Sequence, residues 1–191
     1  MRYPGRPFED FTVGQVFELP TFCVSRREMY EFCELTGDNN PLHDVRAEEF
    51  HEKVNIFKIP IVPGVLTFAK AIGVISRAGV WDGTCLAFLK KEVGFTAPVM
   101  PSEALFTKLI VLEKIPGDQV NRGIIRFGVE VSRADKVVLV GKISILIAKK
   151  SPLGPSEFTT VLDHKIGRQD QEVVHLTKDG QPISGDGVWY D

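Results

Sequence analysis

Asp38 and His43 stand in "TGDNNPLHDV", residues 36–45, among Gly37, Asn39, Asn40 and Pro41. A carboxylate and an imidazole on one short segment can hold a water between them, one accepting a proton while the other donates one. Pro41 cannot continue a helix and disfavours the α region at Asn40, which stiffens the segment between the two proton-transfer groups. Asn40 and Pro41 are assigned to supporting the loop rather than to catalysis. Further on, Gly64 opens an apolar stretch. A glycine in the first turn of a helix leaves free N–H groups at the positive end of the helix dipole. Such donors stabilise negative charge developing on a carbonyl oxygen. A water, a proton relay and an oxyanion donor together suit addition to, or elimination beside, a carbonyl. Taken alone, an Asp and a His after a helix stop are more often turn residues and loop hydrogen-bonders.

These residues need elements to position them. Ser25 and Glu28 form S-x-x-E, a capping box, and Met29, Phe32, Cys33 and Thr36 follow at i, i+3, i+4 and i+7. The pattern predicts a short helix stopped by Gly37, so that Asp38 begins the loop. The polar stretch 44–60 carries a short helix around "AEEFHEKV", with His51 expected on a solvated surface. From Gly64 to about Ala78 the chain is apolar nearly all round, as in a buried helix. Val65 and Leu66 at its start are candidates for pocket lining as well as for core, and so is Phe68.

The remainder reads as sheet. "FTVGQVFELPTFCVS" (11–25), "CLAFLKKEVGFTAPV" and "EALFTKLIVLEKI" are strand candidates. In "IIRFGVEV", Ile125, Phe127, Val129 and Val131 share one face, and in "VVLVGKISILI" Leu139, Ile143, Ile145 and Ile147 do the same. "SRADK" supplies the turn between them. A strand, helices and then several antiparallel strands make an α+β domain over 1–150, a curved sheet wrapped on one buried helix. "SPLGPS" begins a C-terminal extension, 151–191, of unknown role, in which "VVHLTKDGQPI" reads as a small hairpin.

Composition narrows the functional classes. The chain has 191 residues, 43% hydrophobic and 25% charged, with a formal net charge of −2, an ordinary globular balance without the basic field that nucleic acid requires. The opening "MRYPGRPFEDF" has no apolar core of a secretory signal. The most apolar stretch, 61–76, is interrupted by Pro63 and Lys70 and is too short for a membrane span. The three cysteines, Cys23, Cys33 and Cys85, are scattered, as expected of reduced thiols in a cytoplasmic protein. His164 and His175 lie far apart in the extension, and no metal site is expected.

"TGDNNPLHD" resembles the hydratase motif of the MaoC-like, (R)-specific enoyl-CoA hydratase family, G-D-x-N-P-[IVL]-H. Gly37, Asp38, Asn40, Pro41, Leu42 and His43 fit it. "IPIVPGVLT" is similar to that family's glycine-led start of the central helix, and "FTAPVMPSEAL" to its F-x-x-P-V-x-x-G-D-x-L strand motif. The resemblance spans approximately residues 8–148 and implies a hot-dog fold, a long central helix wrapped by an antiparallel sheet, with two such folds paired in homodimers or within one chain. This chain has room for one fold, so a homodimer or a higher oligomer of dimers is expected. It implies that Asp38 and His43 are a catalytic dyad holding the water that adds to a trans-2-enoyl thioester, syn, to give the (R)-3-hydroxyacyl product or the reverse. Gly64 N–H would polarise the thioester carbonyl. No cofactor is implied beyond the coenzyme A or acyl carrier protein of the substrate. "LKKEV" reads as a solvated edge, with contact of Lys90 or Lys91 to coenzyme A phosphates as the alternative.

The sequence departs from the family pattern in three places. Asp44 follows His43 directly, Pro63 stands where many members have His, and Ser102-Glu103 replaces Gly-Asp. Two other functions stay open. A hot-dog thioesterase typically carries its acid on the central helix, where "GVLTFAKAIGV" has none. A non-catalytic or partner-dependent acyl-thioester-binding subunit would share the fold without the reaction.

Overall fold

From Cys85 to Ala148 the chain forms four long strands, with period-two alternation plainest in Arg122–Arg133, and the residues before Cys85 supply one short strand and the helices. The computed structural model describes residues 5–117, 121–134 and 136–150. Strands β1 (Val16–Glu18), β2 (Cys85–Phe95), β3 (Phe106–Pro116), β4 (Arg122–Arg133) and β5 (Lys136–Ala148) form one antiparallel sheet in the order β1-β3-β4-β5-β2. The expected inward faces are realised: Ile125, Phe127, Val129 and Val131 on β4 and Leu139, Ile143, Ile145 and Ile147 on β5 are buried. Register shifts in β2, in β3 and, opposite Val131 and Ser132 of β4, at Val138 of β5 are the kind of irregularity that bends strands.

The inward face closes on helix α3 (Gly64–Arg77), whose Leu66, Phe68, Ala71, Val74 and Ile75 belong to the same core cluster as β4 and β5. Phe11 and Trp81 meet the Phe127 ring edge-on at 5.5 and 5.6 Å, which seals one part of this core. Among the described residues no helix is long and apolar enough to cross a membrane.

Helix α1 (Arg26–Thr36) starts on the expected capping box: Ser25 Oγ accepts from Glu28 N–H at 3.2 Å, and Glu28 Oε2 accepts from Ser25 N–H at 2.9 Å. Met29 and Cys33 are buried and Phe32 packs against the core. Thr36, expected on the same face, is exposed, because at the helix end its hydroxyl turns back to donate to Phe32 O at 2.7 Å. Lys70 of α3 pairs with Glu28, tying the two helices together. Helix α2 (Glu48–Lys53) lies in the segment between α1 and α3.

The strand expected over 11–25 is shorter than its composition suggests. Only Val16–Glu18 pairs as a strand, followed by an isolated bridge between Phe22 and Leu105. Pro20 lies between them and has no N–H to give to a ladder. The extension 151–191, with its expected hairpin, lies outside the described residues.

Candidate active site

The site begins where α1 stops. Gly37 adopts φ 70°, the left-handed conformation glycine enters without penalty, and Asp38 N–H donates to Cys33 O at 3.1 Å. The chain then runs through two successive Asx turns. Asp38 Oδ1 accepts from Asn40 N–H, and Asn40 Oδ1 accepts from Leu42 N–H, both at 3.1 Å. His43 N–H donates to Asn40 O at 3.0 Å. Asn40 therefore holds the loop with both its side chain and its carbonyl, and Pro41 follows it with its fixed φ.

His43 is held from farther away. Its Nδ1 lies 2.9 Å from the carbonyl oxygen of Ile61, while Ile61 N–H donates to Leu42 O at 3.1 Å. A carbonyl oxygen can only accept, so Nδ1 carries the hydrogen, and the neutral ring keeps its lone pair on Nε2. Asp38 and His43 line the same small cavity of about 150 Å³, together with Tyr30, Cys33 and Arg46. His43 also lines a larger cavity of about 390 Å³, which reaches Gly64, Thr67, Phe95, Val99 and Val138. The imidazole thus stands where the acid-bearing cavity meets one that is mostly apolar.

Electrostatics set the neighbours apart. Asp44, directly after His43, is committed to Arg46: its carboxylate accepts from Arg46 N–H and Nε–H, each at 2.9 Å, and from a terminal guanidinium nitrogen at 3.2 Å. These bonds hold its carboxyl below the usual range. Arg46 stacks over Tyr30 at 4.8 Å and comes within 3.4 Å of Glu34. Burial, then the charges of Asp38 and Asp44, pushes the Cys33 thiol up, so it is no poised nucleophile.

The helix start supplies the donors. The first intrahelical bond runs from Thr67 N–H to Pro63 O at 3.0 Å, and no side chain caps α3. The N–H groups of Gly64, Val65 and Leu66 thus have no acceptor within the helix. The Phe95 ring packs directly on Gly64: a Cβ there would lie 2.8 Å from the ring carbons.

Two expectations need correction. Val65 and Leu66 do not line the larger cavity: Val65 is 58% exposed and Leu66 is buried in the core. The residues that do are Gly64 and Thr67, because positions i and i+3 share a helix face and i+1 and i+2 do not. His51 is not solvated; it is 4% exposed. Its Nε2 lies 2.8 Å from Asp44 O and its Nδ1 2.8 Å from Asn55 Nδ2, so both ring nitrogens are satisfied inside the protein. Phe68 belongs to the core, with Lys91 Nζ 5.9 Å above its ring. Lys90 and Lys91 are exposed on β2 and line neither cavity. His164 and His175 lie outside the described residues. Thr67, Phe95 and Asn55 were not singled out from sequence. Thr67 was within reach through its spacing from Gly64, whereas nothing in "KVNIF" marks Asn55 as buried.

Comparison with known proteins bears on the family and the fold. The MaoC like domain family matches residues 10–132. The 3-hydroxybutyryl-CoA dehydratase of Methylorubrum extorquens is 29% identical over 148 residues, spanning 78% of this chain and 88% of that protein. Among solved structures, the R-hydratase PhaJ1 from Pseudomonas aeruginosa superposes with a TM-score of 0.63 at 29% identity, over 78% of this chain and 94% of its own. A conserved Mycobacterium tuberculosis protein with a double hot-dog fold superposes with a TM-score of 0.66 at 19% identity, over 79% of this chain and 46% of that one, a likeness of fold. With its family motif on the loop after α1 and its sheet closed on α3, the chain belongs to the MaoC-like dehydratase domain family and has the hot-dog fold.

Proposed function

We propose that this chain catalyses the reversible addition of water to the double bond of a trans-2-enoyl thioester, giving the (R)-3-hydroxyacyl thioester. The observation that carries the reading is the position of His43, which lines both the cavity it shares with Asp38 and the cavity that reaches the start of α3 at Gly64. A water held by Asp38 and His43 gives up a proton to the dyad as its oxygen bonds to C3. The electron pair of the double bond moves onto the thioester carbonyl, and a proton from the dyad completes the bond at C2. Nothing is oxidised or reduced. With Nδ1–H bonded to Ile61 O, His43 offers Nε2 as the base. The protons belong to the pair rather than to either residue, as in any strongly interacting couple.

The first-turn N–H of Gly64 is the donor to the thioester oxygen as it becomes an enolate. A Cβ there would lie 2.8 Å from the Phe95 ring and force that ring to move. A cavity of about 390 Å³ walled by Val62, Phe95, Val99 and Val138 suits an apolar acyl group. The carrier is coenzyme A or acyl carrier protein, as part of the substrate, and no separate cofactor enters the reaction. The chain acts as a homodimer: β2 is an edge strand paired on one side only, with Phe88 47% and Phe95 51% exposed along it. A relative with two such folds in one chain twice as long supports this pairing.

The test is the fall of enoyl-thioester absorbance with crotonyl-CoA and a chain-length series. His43→Gln and Asp38→Asn are each expected to lower turnover by about 10²-fold or more while the circular dichroism spectrum and unfolding midpoint hold. A loss of only a few-fold in folded variants overturns the dyad. Release of free thiol in place of hydration would favour a thioesterase.

A further inference from the structure

Two buried side chains outside the dyad hold the main chain on both sides of His43. His51 and Asn55 are 4% and 3% exposed. Asn55 is oriented without ambiguity: Phe57 N–H donates to its Oδ1 at 2.9 Å, so its Nδ2 is the group facing Ile59 O at 2.6 Å and His51 Nδ1 at 2.8 Å. A carboxamide nitrogen only donates, so His51 Nδ1 accepts and the ring hydrogen sits on Nε2. That Nε2–H donates to the carbonyl oxygen of Asp44 at 2.8 Å. Each donor and acceptor in the chain Ile59 O–Asn55–His51–Asp44 O is thereby assigned.

The ends of this chain matter. Asp44 directly follows His43, and Ile59 is two residues before Ile61, whose carbonyl receives the His43 Nδ1–H. The network thus fixes the distance between the backbone that bears the imidazole and the backbone that orients it. Resting on the hydratase reading above, we infer that His51 and Asn55 are positioning residues, a buried clamp that keeps His43 in the tautomer with its lone pair on Nε2. They touch no substrate, and they act through the Asp44 and Ile59 carbonyls that they hold.

The test uses the full chain with crotonyl-CoA and measures kcat and KM separately, well below each variant's unfolding midpoint. His51→Met fills the space without a donor or acceptor, and Asn55→Ser leaves His51 in place but cannot reach Ile59. Each is expected to lose about tenfold in kcat with KM within about twofold, the usual result of a reacting group held less well. His51→Gln, which keeps one acceptor and one donor, is expected to recover most of the loss. A lowered midpoint with unchanged kcat in the folded Met and Ser variants overturns the clamp.

Nitrogen NMR of the imidazoles reads the same inference without any assay. The wild type is expected to show His43 as a single Nδ1–H tautomer, and the Met variant a mixture. A His43 tautomer unchanged in every variant overturns the inference. An inactive wild type whose His43 tautomer still responds to His51 removes the hydratase reading and leaves the clamp standing.

Discussion

The sheet with its central helix and the segment from Gly37 to Gly64 are held together by different forces. In the first, Ile125, Phe127, Leu139, Ile143 and Ile145 are fully buried and the backbone is paired strand to strand. Stability there comes from apolar area removed from water. In the second, order comes from side chains bonded to backbone: Asp38 and Asn40 to the loop, His43 to Ile61, His51 to Asp44, Asn55 to Ile59. Regions of the first kind determine whether the protein folds. The second kind fixes where two proton-transfer groups point. The contrast predicts that mutations in the two regions separate stability from turnover.

Phe127→Ala is the strongest break on the first side. Its ring is fully buried and meets those of Phe11 and Trp81, so the deletion is expected to cost about 3–5 kcal/mol of unfolding free energy. Turnover per folded molecule, measured where the variant is still native, is expected to stay within a few-fold of wild type. Asp38→Asn is the converse. It keeps the volume and the oxygen that accepts from Asn40 N–H, and it is expected to leave the urea midpoint nearly unchanged. Its loss of about 10²-fold in turnover corresponds to about 2.7 kcal/mol in the activation barrier. Equal effects of both variants on both readouts would dissolve the distinction between the regions.

The same contrast explains what the sequence discloses. The faces of β4 and β5 were legible because alternation at period two is written directly in residue types. The capping box of α1 was legible because its two partners sit three residues apart. Gly37, Asp38, Asn40 and His43 were recognisable as a motif, and their local turns follow from Asn and Asp chemistry. What the sequence hides is burial imposed by chain closure. His51 stands among charged residues in "AEEFHEKV", beside rather than on the Phe50–Val54–Phe57 spacing, so it reads as solvated. It is buried because Asp44 O and Asn55 approach it from either side, which no periodicity encodes. The choice between core and pocket lining for Val65 and Leu66 stayed open for a related reason: which residues of the first turn face a cavity depends on the helix rotation against β2, where Phe95 lies on Gly64.

A smaller effect sharpens the comparison where the two regions meet. Glu28 caps α1, which ends at the site, and Lys70 belongs to the central helix. The hydrogen bond from Lys70, then that from Ser25 N–H, holds the Glu28 carboxyl down at about 2 from an ordinary 4.5. A depressed carboxyl contributes stability above its unfolded value, and that contribution fades as pH falls from about 4.5 towards 2. The Glu28 side chain is 39% exposed, so the pair is expected to supply about 1 kcal/mol once solvent screening is counted. Lys70→Met is therefore expected to be less stable than wild type at neutral pH by about that amount, with the gap between the two urea midpoints closing below pH 4. A gap independent of pH would mean that Lys70 acts by packing its stem rather than by its charge.

The smallest expected change has the opposite sign. Ser102, which stands at the Gly position of the strand motif it resembles, adopts φ 67° and is exposed. A non-glycine residue in the left-handed region costs about 1 kcal/mol or somewhat more. Replacing it by Gly removes that strain and returns part of the gain as unfolded-chain entropy, about 0.4–1 kcal/mol. Ser102→Gly is thus expected to stabilise by about 0.5 kcal/mol, seen as a small rise in urea midpoint at constant slope. The turn joins the two halves of the core, since Ser102 N–H donates to Val24 O at 2.7 Å, and the neighbouring Glu103 accepts from Met100 N–H at 2.8 Å and pairs with Arg133 at 3.0 Å. It touches neither Asp38 nor His43, so kcat and KM are expected to match wild type. A Ser102→Gly protein that is less stable would show that the turn depends on what serine denies the unfolded chain, and a change in kcat would show that the core reaches the site through this turn.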